Sequence, residues 1–420
     1  MGQLDPRASK ASMDYLEMLE LSKTDWRSLE AVIRQYLSTS ARFGTRKQCR
    51  IIGEGNGFMS ICCVIEPDWV SAERSDDLPR KIVYKFSYNG GLASIDSTMD
   101  GIEGAKPLTK DQMANMLRLA HNVESTFYNL LGHNAAYIGV PRPIGARKID
   151  HPDDIGRLFI EYIEGSPSTS YENLKLEEAD QVVQRIARLQ VWGMKGGHCR
   201  EDVFHWNSWR EVGGQVLTPK ALKNKLSKIP VEYSTELGPL VDELVECYDD
   251  FYDLNHIEDE KNEITQVLVN GDIWPPNLMW DDVSPGRSRH LNAVLDWQAV
   301  HAGSPAEDLL FFMACSLSGP DRRIYWRSAL KKLYNHISHE LGCPPPYTED
   351  DLVASYDRLF PTIATLVVGR IALIFKYWIR TRGLPLEEEL AMEAAMVDKM
   401  RCLMEDTLDV VHHNNYKIID

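Results

Sequence analysis

The sequence predicts an α+β fold in which a strand-rich segment precedes a mainly helical one. Between residues 48 and 86, short apolar runs alternate with glycine-rich or polar breaks, which is typical of an antiparallel strand meander. From Leu176 onward, apolar residues recur at helical spacing. Because a chain of 420 residues exceeds what one compact core holds, we expect about two lobes.

Composition narrows the classes of protein that fit. A formal net charge of −16 disfavours nonspecific attraction to nucleic acid or to anionic membranes, so a small molecule is the expected partner. The eight cysteines include no C-x-x-C pair, which disfavours a structural zinc site or a disulfide scaffold. The N-terminus lacks an apolar signal core, and the longest apolar stretch, residues 363–375, is interrupted by Arg370 and predicts a buried helix. We therefore expect a cytoplasmic protein with reduced thiols.

The chain is expected to divide into three regions. Residues 1–45 have apolar side chains at helical spacing and predict a helical extension that packs outside the first lobe. Residues 46–165 form an N-lobe that holds the sheet, and residues 166–420 form a helical C-lobe with a substrate-binding insertion. In that insertion, Trp206 and Trp209 either line a substrate pocket or pack the insertion itself, and packing is the more common role.

Three glycines precede a lysine-bearing strand in the predicted meander. Gly53, Gly55 and Gly57 fall in the turn between the first two strands, and Lys85 lies one strand later inside the apolar run IVYKF. Glycine lets a backbone approach phosphate oxygens and point N–H groups at them, although a simple flexible turn has the same sequence. An unpaired ammonium buried in such a run is costly, so Lys85 requires an anionic partner.

A predicted helix over residues 110–131 supplies that partner. Its apolar residues gather on one face, and Glu124 falls near the centre of that face. We expect Glu124 and Lys85 to form an ion pair that leaves the lysine positioned for nucleotide phosphates. A buried ion pair without a catalytic role, or a Glu124 that reaches solvent at the edge of the stripe, would fit the same pattern.

A hairpin is predicted after a strand at Val267–Val269. Two short apolar strands, residues 278–280 and 291–295, flank a turn rich in Asp, Ser, Pro and Gly. A hairpin brings the start of its first strand beside the end of its second. Asn277 and Asp296 should therefore meet at the open end.

The residues at that open end have the chemistry of phosphoryl transfer. Asn277 and Asp296 offer hard oxygen atoms, and Mg²⁺ is usually held by one or two protein groups plus substrate phosphates. Asp272 lies five positions before Asn277, where a carboxylate can accept a hydrogen bond from an attacking hydroxyl and aim it at a terminal phosphate. This spacing alone arises often by chance. The strand before it and the carboxylate after the hairpin favour the kinase interpretation.

Five residues now stand in a recognisable order along the chain: Lys85, Glu124, Asp272, Asn277 and Asp296. With them, and with the segments GEGNGFMS, VESTFY, NGDIWPPNLMW, LDWQ and SPAEDLLFF, the chain resembles the aminoglycoside and choline kinase-like superfamily. More narrowly, it resembles the nematode branch of the CHK kinase-like (ecdysteroid kinase-like) family. The resemblance implies a protein-kinase-like two-lobed fold, with an antiparallel-sheet N-lobe and a mainly helical C-lobe. It also implies ATP and Mg²⁺ as cofactors and a hydroxyl of a small molecule as the acceptor, which the sequence leaves open among a steroid, a glucoside, an amino alcohol or another hydroxyl compound.

The resemblance also assigns roles by position. It implies that Asp272 is the catalytic aspartate and that Asn277 and Asp296 are the metal ligands. It implies that Lys85 binds phosphates and that Glu124 is the partner of this lysine.

Two further assignments rest on order along the chain. In a two-lobed kinase the chain crosses between the lobes after the apolar strand that begins near Leu158, where backbone groups from Glu161 to Ile163 would hydrogen-bond adenine. Asp308 matches an aspartate that the family places after the metal-binding turn. We interpret Asp308 as structural, either capping a helix or bracing the catalytic loop.

One departure from the family pattern supports an alternative function. Asn270 stands where the family usually has a histidine that orients the loop, although asparagine also donates and accepts hydrogen bonds. A catalytically silent kinase-like module that binds a nucleotide or metabolite is therefore the alternative. Protein kinase activity is disfavoured, because only twelve positions separate Asp296 from Asp308. A zinc hydrolase is disfavoured, because no histidines fall in a ligand spacing such as H-x-x-x-H.

Overall fold

The computed structural model describes the backbone of residues 6–53, 59–70, 78–88, 108–170, 172–208, 211, 218–227, 231–252, 265–282, 288–378 and 385–414. Within these ranges the chain forms two compact units, unit 1 up to Glu164 and unit 2 from Gly165 onward. Unit 1 carries an antiparallel sheet and unit 2 is mainly helical, which confirms the predicted α+β fold class.

Unit 1 contains these described strands: β1 (Arg42–Phe43), β2 (Gln48–Ile52), β3 (Ser60–Glu66), β4 (Trp69–Val70), β5 (Ile82–Ser87), β6 (Pro143–Arg147) and β7 (Arg157–Glu161). Five of them pair antiparallel in the order β2–β3–β5–β7–β6, and β1 pairs with β4. Strands β2, β3 and β5 are neighbours in the sheet, and only the short β4 lies between them in the chain. The predicted meander is therefore present, with Lys85 on β5.

The helices of unit 1 are α1 (Pro6–Ser22), α2 (Trp26–Leu37), α3 (Lys110–Leu131) and α4 (Ala135–Ile138). Helix α2 begins after Asp25, whose side chain accepts a hydrogen bond from the N–H of Ser28, and it ends at Ser38 in a left-handed conformation. The helical segment thus ends before β1 rather than near residue 45. Apolar side chains of α1 and α2 share one buried core with the sheet, so the prediction that this segment packs outside the first lobe is wrong.

Helix α3 has the bounds that the sequence predicts. Thr109 and Gln112 form a reciprocal capping box at its start, and Gly132 follows its last residue. The face that carries Glu124 is buried. The helix therefore places a carboxylate among apolar side chains, as its periodicity predicts.

The helices of unit 2 are α5 (Leu176–Gly196), α6 (Pro219–Leu226), α7 (Val231–Glu246), α8 (Tyr248–Phe251), α9 (Glu307–Ser316), α10 (Gly319–Leu341), α11 (Glu349–Trp378) and α12 (Leu386–Asn414). Its described strands are β8 (Ser166–Pro167), β9 (Val267–Val269), β10 (Leu278–Trp280), β11 (Leu291–Val294) and β12 (His301–Gly303). Strands β8, β10 and β11 form one small antiparallel sheet, and β9 pairs antiparallel with β12. The apolar face of α5 is buried, and this helix packs against α10 and β9.

The apolar stretch at residues 363–375 lies within α11. Its side chains from residue 363 to residue 368 are buried, which confirms the predicted buried helix over that part. Among the described helices, none combines the length and the hydropathy that a membrane span requires.

Candidate active site

The loop that carries Asp272 follows directly after β9, and we call residues 270–277 the Asp272 loop. Gly271 has a backbone φ of +77°, and a Cβ atom there would lie 2.6 Å from the carbonyl oxygen of Ala299. Only glycine fits this position without strain. Pro275 then begins a short 3-10 turn that leads into β10. Glycine and proline thus give the loop its shape.

The hairpin of β10 and β11 brings Asn277 and Asp296 to the same end. Leu278 pairs with Val294 in the hairpin register. The N–H of Leu295 donates a hydrogen bond of 2.8 Å to the carbonyl oxygen of Asn277. Because Asp296 is the next residue, both predicted metal ligands lie at the open end of the hairpin. The turn at its closed end falls largely outside the described residues.

Asp272 and Asn277 are in direct contact. The Asn277 Nδ2 atom donates to the backbone carbonyl oxygen of Asp272 at 3.0 Å and to its Oδ2 atom at 3.3 Å. Since the amide nitrogen is turned towards Asp272, the amide Oδ1 atom is the one with which Asn277 would hold a metal ion.

Asp296 adopts a strained backbone conformation. Its φ is +57°, in the left-handed region that residues other than glycine enter only at a cost in free energy. Two neighbours hold the turn in place. The Trp297 Nε1 atom donates to the carbonyl oxygen of Val294 at 3.0 Å, and the Gln298 Nε2 atom donates to Oδ2 of Asp296 at 3.3 Å. The segment LDWQ therefore supplies both a carboxylate and the side chains that position it.

Asn270 links the Asp272 loop to the turn at Asp296. Its Oδ1 atom accepts a hydrogen bond of 3.0 Å from the N–H of Asp272, and its Nδ2 atom donates one of 3.2 Å to the carbonyl oxygen of Asp296. The side chain is completely buried. The asparagine thus makes the kind of loop-orienting hydrogen bonds expected of the family histidine.

Asp308 braces the same loop. Its carboxylate accepts hydrogen bonds from the backbone N–H groups of Asn270 at 2.8 Å and Gly271 at 2.9 Å. Helix α9 begins after Ala306, and no side chain caps it. Of the two roles predicted for Asp308, bracing the loop is therefore correct and helix capping is wrong. Burial raises the pKa of Asp308 to about 7, although the two N–H groups favour the ionised form.

A buried ion pair lies beside Gly271. The Nε2 atom of His301 is 3.0 Å from Oε1 of Glu307, and its Nδ1 atom lies 2.8 Å from the carbonyl oxygen of Ala299. Burial alone would lower the pKa of His301, but the Glu307 carboxylate and the Ala299 carbonyl outweigh it and raise the pKa to about 9. The His301 side chain is therefore a protonated imidazolium at neutral pH, and it lies beside Gly271 in the Asp272 loop. The sequence analysis missed this pair.

Arg370 is a second residue that the sequence analysis missed as part of the site. Its Nη1 atom donates a hydrogen bond of 2.5 Å to Oδ1 of Asp272. Burial raises the pKa of Asp272, the charge of Arg370 opposes that rise, and the nearby Asp296 adds to it. A sequence signal existed, because an arginine inside an apolar helical stretch needs an anionic partner for the same reason that Lys85 does.

Within unit 1, Lys85 and Glu124 form a buried ion pair. The lysine Nζ atom lies 2.9 Å from Oε1 and 2.8 Å from Oε2, and the two side chains are 8% and 3% exposed. His121, one turn before Glu124, has its pKa lowered to about 4 by burial, so it is neutral. The ion pair expected from the sequence is thus present. Its role in binding phosphates stays a prediction.

The predicted glycine-rich turn is described only at its first glycine. Gly53 directly follows β2 and has a φ of +68°, and a Cβ atom there would meet no atom of the described residues within 4 Å. The conformation, rather than crowding, is what favours glycine at this position. Gly55 and Gly57 lie outside the described residues.

The residues predicted to contact adenine lie at the C-terminal end of strand β7 in unit 1. Glu161 is the last residue of β7, and its N–H donates a hydrogen bond of 2.9 Å to the carbonyl oxygen of Arg142. The N–H of Glu161 is therefore already hydrogen-bonded to a backbone group of unit 1. Ile163 follows the strand and is partly exposed. Contact of either residue with adenine stays a prediction.

The donor set in unit 2 fits a hard divalent cation. The Oδ1 atom of Asn277 and the carboxylate of Asp296 are oxygen donors at one end of a hairpin, and waters and phosphates would complete the shell. The Asn270 side chain bonds to the backbone of both Asp272 and Asp296, so the two residues are near each other, and the charge of Asp296 adds to the rise that burial causes in the pKa of Asp272. A cation at this place would offset the charge of Asp296.

A family model described as "Uncharacterized oxidoreductase dhs-27" (DUF1679) matches residues 21–416. The curated protein "Uncharacterized oxidoreductase dhs-27" of Caenorhabditis elegans is 23% identical over 260 residues, which cover 60% of this chain and 31% of that protein. The chain thus spans less than a third of the length of the curated relative that it matches.

Several solved structures are similar over most of the chain. Choline kinase from Cryptosporidium parvum Iowa II has a TM-score of 0.45 and 11% identity, and the match covers 93% of this chain and 98% of that one. The microcompartment-associated aminopropanol kinase has a TM-score of 0.43 and 13% identity, covering 90% and 99%. The GDP complex of aminoglycoside 2'-phosphotransferase-IIIa has a TM-score of 0.40 and 10% identity, covering 90% and 99%.

Proposed function

We propose that this chain, which belongs to the family described as "Uncharacterized oxidoreductase dhs-27", is an ATP-dependent kinase that phosphorylates a hydroxyl group of a small molecule. The observation that carries the proposal is the contact between Asp272 and Asn277, made at the hairpin end where Asp296 also lies. Phosphoryl transfer needs one group that orients the attacking hydroxyl and others that hold the metal. These residues supply both from a single segment.

In the proposed reaction, Asp272 accepts a hydrogen bond from the acceptor hydroxyl. As the acceptor oxygen bonds to the terminal phosphorus, its proton passes to Asp272, and the bond from that phosphorus to the leaving oxygen of ADP breaks. Mg²⁺ held by Asn277 and Asp296 would neutralise charge on the phosphates. The side chains of Asn270 and Asp308 would hold the Asp272 loop in position during transfer, because each accepts a hydrogen bond from a backbone N–H of that loop.

The residues of unit 1 are proposed to bind the nucleotide. Glu124 fixes the direction of the Lys85 ammonium, which suits a lysine that must meet phosphate oxygens. The turn that begins at Gly53 and the backbone groups of Glu161 and Ile163 complete the proposed nucleotide contacts. The narrower likeness to CHK kinase-like proteins belongs to the same proposal, as do a cytoplasmic location and a steroid, glucoside or amino alcohol as acceptor.

The alternative is a catalytically silent module that binds a nucleotide or metabolite. Its sequence support is Asn270, and the two hydrogen bonds of that side chain to the site favour an active enzyme instead. The word oxidoreductase in the name of the C. elegans relative describes a protein of which this chain spans 31%, and it is not carried over.

The experiment compares the purified protein with its Asp272→Asn variant in ATP, Mg²⁺ and a metabolite extract. Mass spectrometry should detect a product heavier by one phosphate with the wild type and none with the variant. Asp350→Asn, at an exposed position on α11, is the matched control and should retain the product. Nucleotide binding by calorimetry without any phosphorylated product would favour the silent module.

A further inference from the structure

Arg370 reaches the Asp272 carboxylate from helix α11. The two side chains are 17% and 16% exposed, and the ion-pair distance is 2.5 Å. The other carboxylate oxygen accepts the hydrogen bond from Asn277. A carboxylate has lone pairs for about four hydrogen bonds, so Asp272 can still accept one from a hydroxyl. A positive charge therefore lies next to the oxygen atoms that would meet the acceptor.

Two aromatic rings hold the guanidinium at this place. Its central carbon lies 3.9 Å from the ring centre of Trp274 and 5.7 Å from that of Phe311. Both aromatic side chains are buried. The attraction of a cation to aromatic faces and the ion pair to Asp272 both oppose movement of Arg370. Its charge is therefore a fixed part of the site.

A fixed guanidinium changes which alcohols the site attracts. Without Arg370, the neighbouring carboxylates Asp272 and Asp296 would form a negative region that favours ammonium alcohols. Arg370 offsets the charge of Asp272 and repels any cation next to the reacting hydroxyl. At a separation of about 6 Å and an effective dielectric constant of about 20, the Arg370 charge weakens the binding of such a cation by about a hundredfold relative to a site with an uncharged residue 370. A neutral alcohol meets no such repulsion.

We propose that Arg370 makes the enzyme select acceptors without a positive charge beside the reacting hydroxyl over amino alcohols and quaternary ammonium alcohols. This inference rests on the proposed kinase function and narrows its acceptor class. Arg370 acts here through its charge and takes no part in the transfer of the phosphate.

The first test uses the wild-type protein and a metabolite extract that cation exchange at pH 7 separates into a bound, cationic fraction and an unbound fraction. With ATP and Mg²⁺, phosphorylated product should form in the unbound fraction. Product only in the cationic fraction would overturn the inference and leave the kinase proposal standing. No product in either fraction, together with bound nucleotide, would contradict the kinase proposal and this inference with it.

The second test uses two alcohols of equal shape, choline and 3,3-dimethylbutan-1-ol, which differ by the charge of one atom. Each is measured as an inhibitor of transfer to the unbound fraction. The wild type should be inhibited by the neutral alcohol at a concentration at least tenfold lower than by choline. The Arg370→Gln variant should reduce this ratio at least tenfold. Arg370→Lys retains the charge and should keep most of the selectivity.

The matched control is Arg358→Gln, on the same helix about three turns before Arg370. It should leave the inhibition ratio unchanged. An unchanged ratio in Arg370→Gln, or a wild type that choline inhibits as strongly as its neutral counterpart does, would overturn the inference. Thermal unfolding shows whether each variant is folded. If Arg370→Gln does not fold, the outcome is decided by the ratio of the inhibitory concentrations of the two alcohols in the wild type and in Arg370→Lys.

Discussion

The side-chain amide of Asn270 donates a hydrogen bond of 3.2 Å to the backbone carbonyl oxygen of Asp296. This bond joins the loop that carries the proposed proton acceptor to the turn that carries a proposed metal ligand. The same side chain accepts a hydrogen bond from the N–H of Asp272. One buried residue therefore helps to set the positions of two carboxylates.

Replacing Asn270 should reduce turnover through misplacement of these carboxylates. We expect Asn270→Ala to lower kcat by about a hundredfold, because small errors in the position of catalytic groups cost about that much. Asn270→His restores a side chain that donates and accepts, and it should lower kcat by less than about tenfold. Steady-state kinetics on both variants checks this expectation. Equal turnover by Asn270→Ala and the wild type would show that the two hydrogen bonds are dispensable.

Gly271→Ala should deform the Asp272 loop. The substitution adds a Cβ atom at a positive φ and 2.6 Å from the carbonyl oxygen of Ala299. We expect the free energy of unfolding to fall by about 3 kcal/mol, and phosphate transfer to fall with it. Chemical denaturation and an activity assay measure the two effects.

The control for this substitution is Gly342→Ala. Gly342 has a nearly equal φ of +75°, but a Cβ atom there would meet no atom within 4 Å. Gly342→Ala should therefore lower the free energy of unfolding only by the cost of the left-handed conformation, about 1 kcal/mol, and should leave activity unchanged. Equal losses of stability in both variants would contradict a steric role for Ala299.

The Lys85–Glu124 pair should behave as a buried ion pair in a double-mutant cycle. Lys85→Met leaves an unpaired buried carboxylate and should lower the free energy of unfolding by about 3–5 kcal/mol. Adding Glu124→Leu removes that carboxylate and should recover most of the loss. Nucleotide affinity, measured by calorimetry, should remain lost in the double variant, because the proposed phosphate ligand is absent.

An exposed ion pair in the same unit provides the comparison. Lys81 and Glu164 are 34% and 74% exposed at a distance of 2.7 Å. Lys81→Met should change the free energy of unfolding by less than about 1 kcal/mol and should leave nucleotide affinity intact. If Lys81→Met lowered the free energy of unfolding as much as Lys85→Met does, burial would not distinguish the stability of the two ion pairs.

His301 should make the protein less stable as the pH rises. Its pKa is raised to about 9 in the folded protein, above an unfolded value of about 6.5. The protonated form is thus favoured by folding, and its contribution is complete below about pH 6.5 and lost as the pH rises to about 9. We expect the difference in unfolding free energy between wild type and His301→Gln to shrink by about 3 kcal/mol across that window. Denaturant titrations from pH 6 to pH 10 measure it.

His121 should show the opposite dependence. Burial lowers its pKa to about 4, so its contribution is complete above about pH 6.5 and is lost as the pH falls towards 4. The difference in unfolding free energy between wild type and His121→Gln should therefore shrink on acidification. The same trend with pH for both histidines would contradict one of the two assigned protonation states.

Local patterns were sufficient to predict the parts of the fold that depend on near neighbours. The bounds of α3 follow from its capping residues and its apolar face, and Lys85 could be matched with Glu124 because each is a charge inside an apolar pattern. The hairpin of β10 and β11 followed from its strands and turn.

The remaining features depend on contacts between distant residues. Arg370 and Asp272 are 98 positions apart, and no periodicity in either segment indicates which anion the arginine meets. The pairing of β8 with β10 and the burial of His301 against Glu307 likewise depend on tertiary packing. A charge inside an apolar run shows that a partner exists, but only the fold identifies it.

The positive φ of Asp296 has a consequence for how this protein could vary. Selection for folding alone would place glycine at this position, since glycine adopts the conformation freely. Asp296→Gly would remove the backbone strain together with the carboxylate, so under the proposed function one substitution should raise the free energy of unfolding and abolish phosphate transfer.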